Sequence, residues 1–465
     1  MLFKHFYDPG LAQGSYLIGC QRTGEAIVVD ARRDIQVYLD TASSEGLRIT
    51  AVTETHIHAD YLSGSRELAH ATGAQLYLSD EGDANWKYGF EGHKLYHHDE
   101  IQVGNIIIKA VHTPGHTPEH LSFLVTDGAT ADEAGYYLTG DFVFVGDIGR
   151  PDLLDEAAGG VDTRFLGAAQ MFQSLKDHFL TLPDYVQVWP AHGAGSACGK
   201  ALGAIASTTV GYERKFAWWA TYIENDDIEG FTKALLEGQP DAPLYFGRMK
   251  MQNKQGPALL GERPPLQETQ ASELNNLDKL LFIDTRPPQI YAQDAFTGAI
   301  NIPAGKSFST FASYVIDPLK ESRNMVLLAK DQKQAEAMRD ELSYVGIDKV
   351  TAYVCNLDGL DTSAIPTISP SELEHTKDIY ILDVRTANEY HAGHIPKAHQ
   401  LHAGRVMWRL DSLPTEQTIV THCQSGARNA AVSSSLRAHG FRNVVELEGS
   451  YLAWLEHQDH QAALV

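Results

Sequence analysis

The chain has 465 residues, more than one ordinary domain holds, so two to four domains are expected. Its hydrophobic fraction of 43% is typical of globular cores, and no apolar run in the sequence is long enough to span a membrane. A formal charge of −23 disfavours nucleic acid and anionic membranes as partners, and the first residues lack the layout of a secretory signal, so a cytoplasmic protein is predicted.

Residues 1–240 alternate short β-branched runs with helical stretches, a pattern typical of a layered α/β sandwich. Four of the strand-like runs end in motifs rich in histidine and aspartate, at residues 55–64, 113–116, 139–141 and 190–193. Imidazole nitrogens and carboxylate oxygens gathered at strand ends suit iron or zinc. The sequence therefore predicts a metal site at the rim of a sheet.

The order and spacing of these motifs resemble the metallo-β-lactamase superfamily, which implies an αββα sandwich for residues 1–240. Two-metal hydrolases of that superfamily, such as glyoxalase II, carry His-x-His-x-Asp-His in the first motif, whereas this chain has Tyr61 in the last position. A tyrosine is a poor replacement for a neutral imidazole ligand, so a second metal position is expected to be lost. The resemblance then implies a single metal, held by His56, His116 and Asp141.

Two histidines and one carboxylate with open positions form the facial triad of non-haem Fe(II) oxygenases. Within the superfamily this arrangement resembles the persulfide dioxygenases, so one Fe(II) per chain is predicted. The remaining motif residues are then expected to orient the iron ligands and bound water: His58, Asp60, Tyr61 and His192. The alternative is that Tyr61 is a harmless variation in a site that still holds two metals.

Two further residues near the metal motifs are functional candidates. Arg150 lies in a glycine-rich segment that is either a tight turn or an anion clamp, and a Gly-Arg loop at this place in related dioxygenases favours Arg150 as a substrate-binding residue. Cys198 lies in a glycine-rich loop with Lys200 nearby, as either a buried small side chain or a sulfur-carrying catalytic thiol.

The other cysteines are far apart in the sequence, which argues against a disulfide scaffold. Cys20 and Cys355 each follow a strand-like run and are expected in the core. His120 is expected at the start of a helix, although a role in supporting the metal ligands is also open.

Residues 241–270 are rich in Pro, Gly and Gln and are predicted to be a linker. After it comes a weak internal repeat, in which a strand that ends in Asp-x-Arg recurs at residues 281–286 and 381–385. Each copy is followed by a Gly-x-Ile segment, at Gly298 and Gly393. The pattern resembles the rhodanese fold, a parallel sheet wrapped by helices.

Two rhodanese-like α/β domains are therefore predicted, at residues 271–367 and 368–465. In the second, a strand leads into Cys423, and the small residues that follow let backbone N–H groups and a helix N-terminus point at the sulfur. Arg428 adds a cation, and such a site favours the thiolate and stabilises a bound persulfide or sulfite. The loop resembles that of active sulfurtransferases, with Cys423 and Arg428 as catalytic residues and four residues between them as substrate-binding: Gln424, Ser425, Gly426 and Ala427.

The first rhodanese-like domain has no cysteine at the equivalent place, where a strand runs into Lys330. Without a thiol no persulfide can form there. A structural role is expected for this domain, in spacing, docking or oligomer contacts.

As a whole the chain resembles the multidomain persulfide dioxygenase–rhodanese fusions of sulfide-detoxification systems in Gram-positive bacteria. The resemblance implies that a low-molecular-weight persulfide is oxidised with O₂ to sulfite, which a second persulfide sulfur converts to thiosulfate. The thiol carrier stays open among coenzyme A, glutathione, bacillithiol and cysteine, and a homotetramer or dimer is expected. Two rivals remain: a zinc-dependent thioesterase like glyoxalase II fused to a rhodanese, and a non-enzymatic sulfur carrier or sensor.

Overall fold

The computed structural model of the chain describes residues 1–153, 155 and 162–463. It divides into two compact units, one made of Met1–Ala242 with Phe246–Glu262, the other of Pro243–Tyr245 with Arg263–Val465. The main boundary thus falls inside the segment predicted to be a linker. None of the described helices is both long and apolar enough to cross a membrane.

The first unit contains two six-stranded mixed sheets. In spatial order the first sheet consists of Leu2–Asp8, Gln13–Cys20, Glu25–Val29, Arg48–Thr53, Gln75–Ser79 and His93–Leu95. The second consists of Thr208–Thr209, Gln187–Pro190, Tyr136–Gly140, Leu121–Asp127, Ile106–His112 and Glu100–Val103. The described helices are Gln36–Ser44, Ser65–Thr72, Thr163–Ser174, Val210–Phe216, Ala220–Glu224, Ile228–Leu236 and Tyr245–Gln255. A 3₁₀ turn lies at Ala84–Trp86, and a π-helical turn at Leu175–Phe179 continues the helix Thr163–Ser174.

The two sheets pack face to face through apolar side chains that their strands direct inward. Ile18 and Val29 of the first sheet share a core with Ile108 and Phe123 of the second. Helices cover both outer faces. Tyr38 of the helix Gln36–Ser44 packs with Val28 of the first sheet, and Phe172 of the helix Thr163–Ser174 shares a core with Val188 of the second. The αββα sandwich expected for this part of the chain is therefore confirmed.

The segment predicted to be a linker contains the helix Tyr245–Gln255, and from Phe246 onward that helix belongs to the first unit. Its Asn253 side chain is buried and donates to the backbone oxygens of His58 and Tyr61, at 2.7 Å each. The same amide oxygen accepts from the Ser63 backbone at 2.9 Å. Composition indicated an open segment, but these three buried hydrogen bonds anchor it to the loop of the first metal motif.

The second unit contains two five-stranded parallel sheets of the same strand order. The first consists of Gln267–Glu268, Val350–Val354, Asn324–Leu328, Leu280–Asp284 and Ile300–Asn301, and the second of Thr367–Ile368, Val444–Leu447, Thr418–His422, Ile379–Asp383 and His399–Gln400. A separate antiparallel pair joins Ala295–Phe296 to Thr362–Ser363. The helices are Pro288–Gln293, Phe308–Val315, Gln332–Tyr344, Pro370–His375, Ala387–Ala392, Ala403–Val406, Ala427–Ala438 and Ser450–Ala463, with single turns at Ala271–Glu273, Leu277–Lys279 and Leu410–Ser412.

The sequence repeat corresponds to a repeated set of polar contacts. Arg286 pairs with Asp284 through its Nε and Nη2 atoms, and Arg385 pairs with Asp383 in the same way. In each half an amide side chain of the edge strand donates to the backbone oxygen of that arginine, from Asn301 in one and Gln400 in the other. The Asp-x-Arg motif therefore fixes the end of the central strand in both halves.

Strand register identifies the residue that occupies the cysteine position in the first half. Asp383 pairs with His422, which precedes Cys423, and Asp284 pairs with Leu328, which precedes Ala329. Alanine thus stands where the second half has its thiol, as the sequence predicted for a domain without an active cysteine.

Candidate functional site

Three buried side chains meet at one edge of the sandwich. His56 follows the strand Arg48–Thr53, His116 lies in the loop before Leu121–Asp127, and Asp141 directly follows Tyr136–Gly140. One ligand atom from each lies within 4.8 Å of the other two. His116 Nε2 is 3.4 Å, and His56 Nε2 3.9 Å, from Asp141 Oδ2.

Hydrogen bonds on the far side of each ring fix which imidazole nitrogen faces Asp141 with a lone pair. His116 Nδ1 lies 3.0 Å from the Arg150 carbonyl oxygen, which only accepts, so Nδ1 carries the hydrogen. The Thr55 hydroxyl donates to Asp30, so His56 Nδ1, 3.0 Å from that hydroxyl, must donate to it. Burial lowers the pKa of both His56 and His116, so the rings are neutral, and with the hydrogen on Nδ1 their Nε2 atoms are suited to bind a metal.

The carboxylate of Asp141 fits a cation at the same point. Both of its oxygens are buried, and no N–H or O–H group of the described residues donates to them, although the weakly donating Cys198 thiol lies beside them. A buried carboxylate with so little hydrogen bonding is costly unless a cation neutralises it. Burial opposes ionisation, but the neighbouring imidazoles, that of His192 first, lower the pKa of Asp141. Two imidazole nitrogens and one carboxylate oxygen thus form a donor set for one transition metal.

A second group of potential ligands lies directly beside the first. Asp60, His192 and Cys198 are buried, and their ligand atoms lie within 4.8 Å of one another. His192 Nε2 is 3.3 Å from Asp60 Oδ2 and 3.5 Å from Asp141 Oδ1, while its Nδ1 is 3.0 Å from the Ala12 carbonyl oxygen. Burial and the charges of Asp141 and Asp60 raise the pKa of the Cys198 thiol well above its usual value. The structure thus places Cys198 at the site but in surroundings that favour the protonated thiol.

His58 and Tyr61 contact the site through Asp30, which sequence reasoning did not single out. Asp30 Oδ1 is 3.0 Å from His58 Nε2 and accepts from the Thr55 backbone at 2.7 Å. Burial alone would lower the pKa of His58, but Asp30 raises it to about 9. The Tyr61 hydroxyl donates to the Asp30 backbone oxygen and accepts from Gln13, both at 3.3 Å. Asp30 follows the strand Glu25–Val29, and this strand-end position was the signal that could have revealed it.

His120 does not begin a helix, contrary to the expectation from sequence. It is buried just before the strand Leu121–Asp127, and its Nε2 accepts from the Asp141 backbone at 3.1 Å. Its Nδ1 lies 2.9 Å from the Thr113 hydroxyl. Burial, the main cause, lowers the pKa of His120 to about 3, so the ring is neutral and holds the Asp141 loop in place.

Arg150 is buried, and most of its donors already contact other groups of the protein. Its Nε and Nη2 atoms donate to Asp152, and its Nη1 donates to the backbone oxygens of Ala197 and Pro240. These hydrogen bonds hold the guanidinium inside the protein. These contacts brace the loops around His116 and Cys198, and the substrate-binding role expected for Arg150 stays a prediction.

The second candidate site lies at the end of the strand Thr418–His422. Cys423 is 2% exposed, its Sγ accepts from the Gly426 backbone at 3.1 Å, and its own N–H donates to the Ser450 hydroxyl at 3.3 Å. Gly426 has a φ of 114°, a left-handed value that favours glycine. The helix Ala427–Ala438 starts immediately afterwards, so its N-terminus is directed at the sulfur.

Two arginines approach this loop. Arg428 forms a bidentate ion pair with Glu389, and Arg385 donates to Gln424 at 3.2 Å and lies 3.8 Å from the ring centroid of Tyr451. Ser425 is exposed at the tip of the loop, and Ala427 opens the following helix. All the residues predicted for the sulfur-transfer site thus lie in or beside one loop. Arg385, which the sequence analysis did not name, contacts the same loop through Gln424.

The remaining cysteines differ from each other in exposure. Cys20 is buried, as expected from its strand. Cys355 is exposed, contrary to its expected place in the core, because the strand Val350–Val354 ends before it.

Comparison with known families identifies two regions of the chain. The model of the metallo-beta-lactamase superfamily matches residues 9–192, and that of the rhodanese-like domain matches residues 370–457. The bovine mitochondrial persulfide dioxygenase ETHE1 is 27% identical over 198 residues, which cover 41% of this chain and 68% of that protein. A probable metallo-hydrolase of Burkholderia pseudomallei is 27% identical over 221 residues, covering 41% of this chain and 72% of that protein.

A solved structure is similar over a longer part of the chain. The metallo-beta-lactamase from Staphylococcus aureus subsp. aureus COL is 40% identical, with a TM-score of 0.66. The match covers 76% of this chain and 98% of that protein. The shared architecture therefore extends beyond the first unit alone.

Proposed function

We propose that this chain, which belongs to the metallo-β-lactamase superfamily and carries a rhodanese-like domain, is a persulfide dioxygenase coupled to a sulfurtransferase. The first unit would oxidise a low-molecular-weight persulfide to sulfite with O₂. The second would use Cys423 to convert sulfite to thiosulfate. The name of the bovine relative supports the first activity, and the loop geometry at Cys423 supports the second.

The observation that carries the first part is the donor set of His56, His116 and Asp141. These residues would hold one Fe(II), which when bound supplies the redox chemistry needed to activate O₂. Thr55 and the Arg150 carbonyl keep the two imidazoles oriented, and His120 holds the backbone of Asp141. Burial of the whole set excludes bulk water from the reacting sulfur.

His192 and Asp60 are suited to move protons beside this donor set. His192 Nδ1 donates to the Ala12 carbonyl, so its Nε2 can accept a proton between Asp60 and Asp141. Oxidation of a persulfide to sulfite releases protons, and these residues provide the nearest acceptors. Cys198, whose sulfur lies within 4.8 Å of the ligand atoms of Asp60 and His192, is proposed to contact the persulfide.

At the second site Cys423 is proposed to take a sulfane sulfur from a persulfide and pass it to sulfite. The Gly426 N–H and the start of the helix Ala427–Ala438 stabilise negative charge on the sulfur. Linking the two activities in one chain raises the effective concentration of sulfite for the second. The thiol carrier of the persulfide is proposed to be coenzyme A, glutathione, bacillithiol or cysteine.

Metal substitution distinguishes this function from that of a zinc thioesterase. Protein loaded anaerobically with Fe(II) should consume O₂ when a persulfide is added, and protein loaded with Zn(II) should not. Both forms should leave a glutathione thioester intact. Thioester hydrolysis by the Zn(II) form, with no O₂ consumption by the Fe(II) form, would replace the dioxygenase by a hydrolase.

A further inference from the structure

Both cations beside Cys423 are already paired with carboxylates. Arg428 donates through Nη1 to Glu389 Oε2 at 3.0 Å and through Nη2 to Oε1 at 2.9 Å. This bidentate geometry gives strong and directional pairs. Arg385 is paired with Asp383 in the same manner. Each of these two positive charges is therefore balanced by a carboxylate.

Glu389 is held in position by a second set of bonds. Its Oε2 accepts from the Thr386 backbone at 2.8 Å, and its own N–H donates to the Thr386 hydroxyl at 3.1 Å. The two residues form a capping box at the start of the helix Ala387–Ala392. Burial opposes ionisation, but Arg428 and Thr386 lower the pKa of Glu389 to about 2. The carboxylate is thus fixed and charged at neutral pH.

We propose that the Glu389 carboxylate competes with dianionic thiosulfate for Arg428, so that the Cys423 site releases thiosulfate instead of retaining it. The inference rests on the sulfur transfer proposed above, and it concerns how readily the Cys423 site releases its product. Glu389 does not change the overall equilibrium of the reaction. It changes how tightly the dianion is held.

The chemistry of the transfer explains why release needs such a device. A lone pair on the sulfur of sulfite attacks the terminal sulfur of the Cys423 persulfide, and a new S–S bond forms. The bond between that sulfur and Cys423 breaks, its electron pair returns to Cys423 as a thiolate, and no external oxidant is required. The product is a dianion beside a thiolate, and Arg428 is the cation that would retain it. The two guanidinium nitrogens that face Glu389 are already occupied by a carboxylate.

Binding of inorganic sulfate, an unreactive tetrahedral dianion, tests the competition directly. Sulfate should slow alkylation of Cys423 by iodoacetamide, followed by mass spectrometry of the Cys423 peptide in the full-length protein. In Glu389→Gln the sulfate concentration for half-protection should fall by about tenfold, because Arg428 no longer has a charged partner that competes with sulfate. The change stays this modest because the Glu389 side chain is about one-third exposed, so that solvent screens the pair. Glu389→Ala should move it in the same direction.

Two matched variants separate charge from structure. Glu374→Gln removes a carboxylate that pairs with His457 on another helix, and it should leave half-protection unchanged. Thr386→Ala breaks the capping box but keeps the Glu389 carboxylate, and it should not tighten sulfate. Equal or weaker protection in both Glu389 variants would overturn the inference. Persulfide formation on Cys423 is measured separately in the wild type, and its absence would contradict the proposed function while the sulfate comparison stays valid.

Discussion

At the scale of single residues, the geometry of the candidate metal site depends on hydrogen bonds made by the Nδ1 atoms of the two histidines, on the side of each ring opposite Nε2. The carbonyl of Arg150 and the hydroxyl of Thr55 set the tautomers of His116 and His56. Both Nε2 lone pairs then face a buried carboxylate to which no N–H or O–H group of the described residues donates. Such an arrangement is unfavourable unless a cation lies between the groups, which makes metal binding the most direct consequence of the site.

Removing one imidazole should abolish that binding. For His56→Ala we expect Fe(II) affinity to fall by more than roughly 100-fold, beyond the usual cost of losing a supporting residue. Metal content after dialysis, measured by mass spectrometry, checks this. His70→Ala, an exposed histidine on the helix Ser65–Thr72, serves as the control and should keep its iron. Full iron retention by His56→Ala would contradict the ligand set.

Replacement of the second thiol should separate the two activities. For Cys423→Ser we expect O₂ consumption to continue while sulfite accumulates and thiosulfate is not formed, because no persulfide can form on a hydroxyl. Ion chromatography of the sulfur products measures the ratio. Cys355→Ser, which changes an exposed thiol, should match the wild type. Unchanged thiosulfate formation in Cys423→Ser would remove Cys423 from the mechanism.

A buried carboxylate near the metal site should make stability depend on pH. Burial, the main cause, raises the pKa of Glu119 to about 7 from the usual 4.5. The folded state then binds the proton more tightly, so stability falls as pH rises from about 4.5 to about 7, by roughly 3 kcal/mol at most. Glu119→Gln should remove this contribution. Its melting temperature relative to the wild type should therefore rise across that interval and level off above pH 7; a constant difference would show that Glu119 is not responsible.

At the scale of secondary-structure elements, the position of each functional residue follows from where a strand ends. Asp141 directly follows Tyr136–Gly140, and Cys423 directly follows Thr418–His422. Strand ends were predictable because β-branched runs change abruptly to polar motifs. Asp30 has the same position after Glu25–Val29 but a single aspartate carries too little pattern to be recognised.

The helix Tyr245–Gln255 shows what composition does not predict. Its sequence was interpreted as part of a linker, because residues 241–270 are rich in Pro, Gly and Gln, yet Phe246 and Met249 of the helix are buried. The structure instead anchors it through Asn253, whose three partners are distant in sequence. The contacts of the Asn253 amide depend on the tertiary fold, which the local sequence does not show.

Loss of that anchor should destabilise the first unit. Asn253→Ala leaves two carbonyl oxygens and one N–H without their partner, at a cost of roughly 2–4 kcal/mol. Gln255→Ala, at an exposed position on the same helix, should change stability by less than about 0.5 kcal/mol. Chemical denaturation of the full-length protein measures both. Equal stability of the two variants would show that the helix is not held by Asn253.

At the scale of the whole molecule, the order of the folds along the chain was predictable from the sequence, but the ion-pair partners of individual arginines were not. The four histidine and aspartate motifs indicated the sandwich, and the Asp-x-Arg repeat indicated two similar parallel sheets, both of which the structure contains. Arg150 and Arg428 were both expected to bind anions, since a sequence shows a cation but not its partner. The structure pairs the first with Asp152 and the second with Glu389.

The coupled activity is tested most directly by O₂ uptake of the Fe(II)-loaded full-length protein after addition of a low-molecular-weight persulfide, with the sulfur products identified. The account predicts rapid uptake, with thiosulfate as the main product and sulfite only a minor one. A series of thiol carriers would then identify the substrate from the ratio kcat/KM. Absence of uptake with every carrier, in protein that retains its iron, would contradict the account.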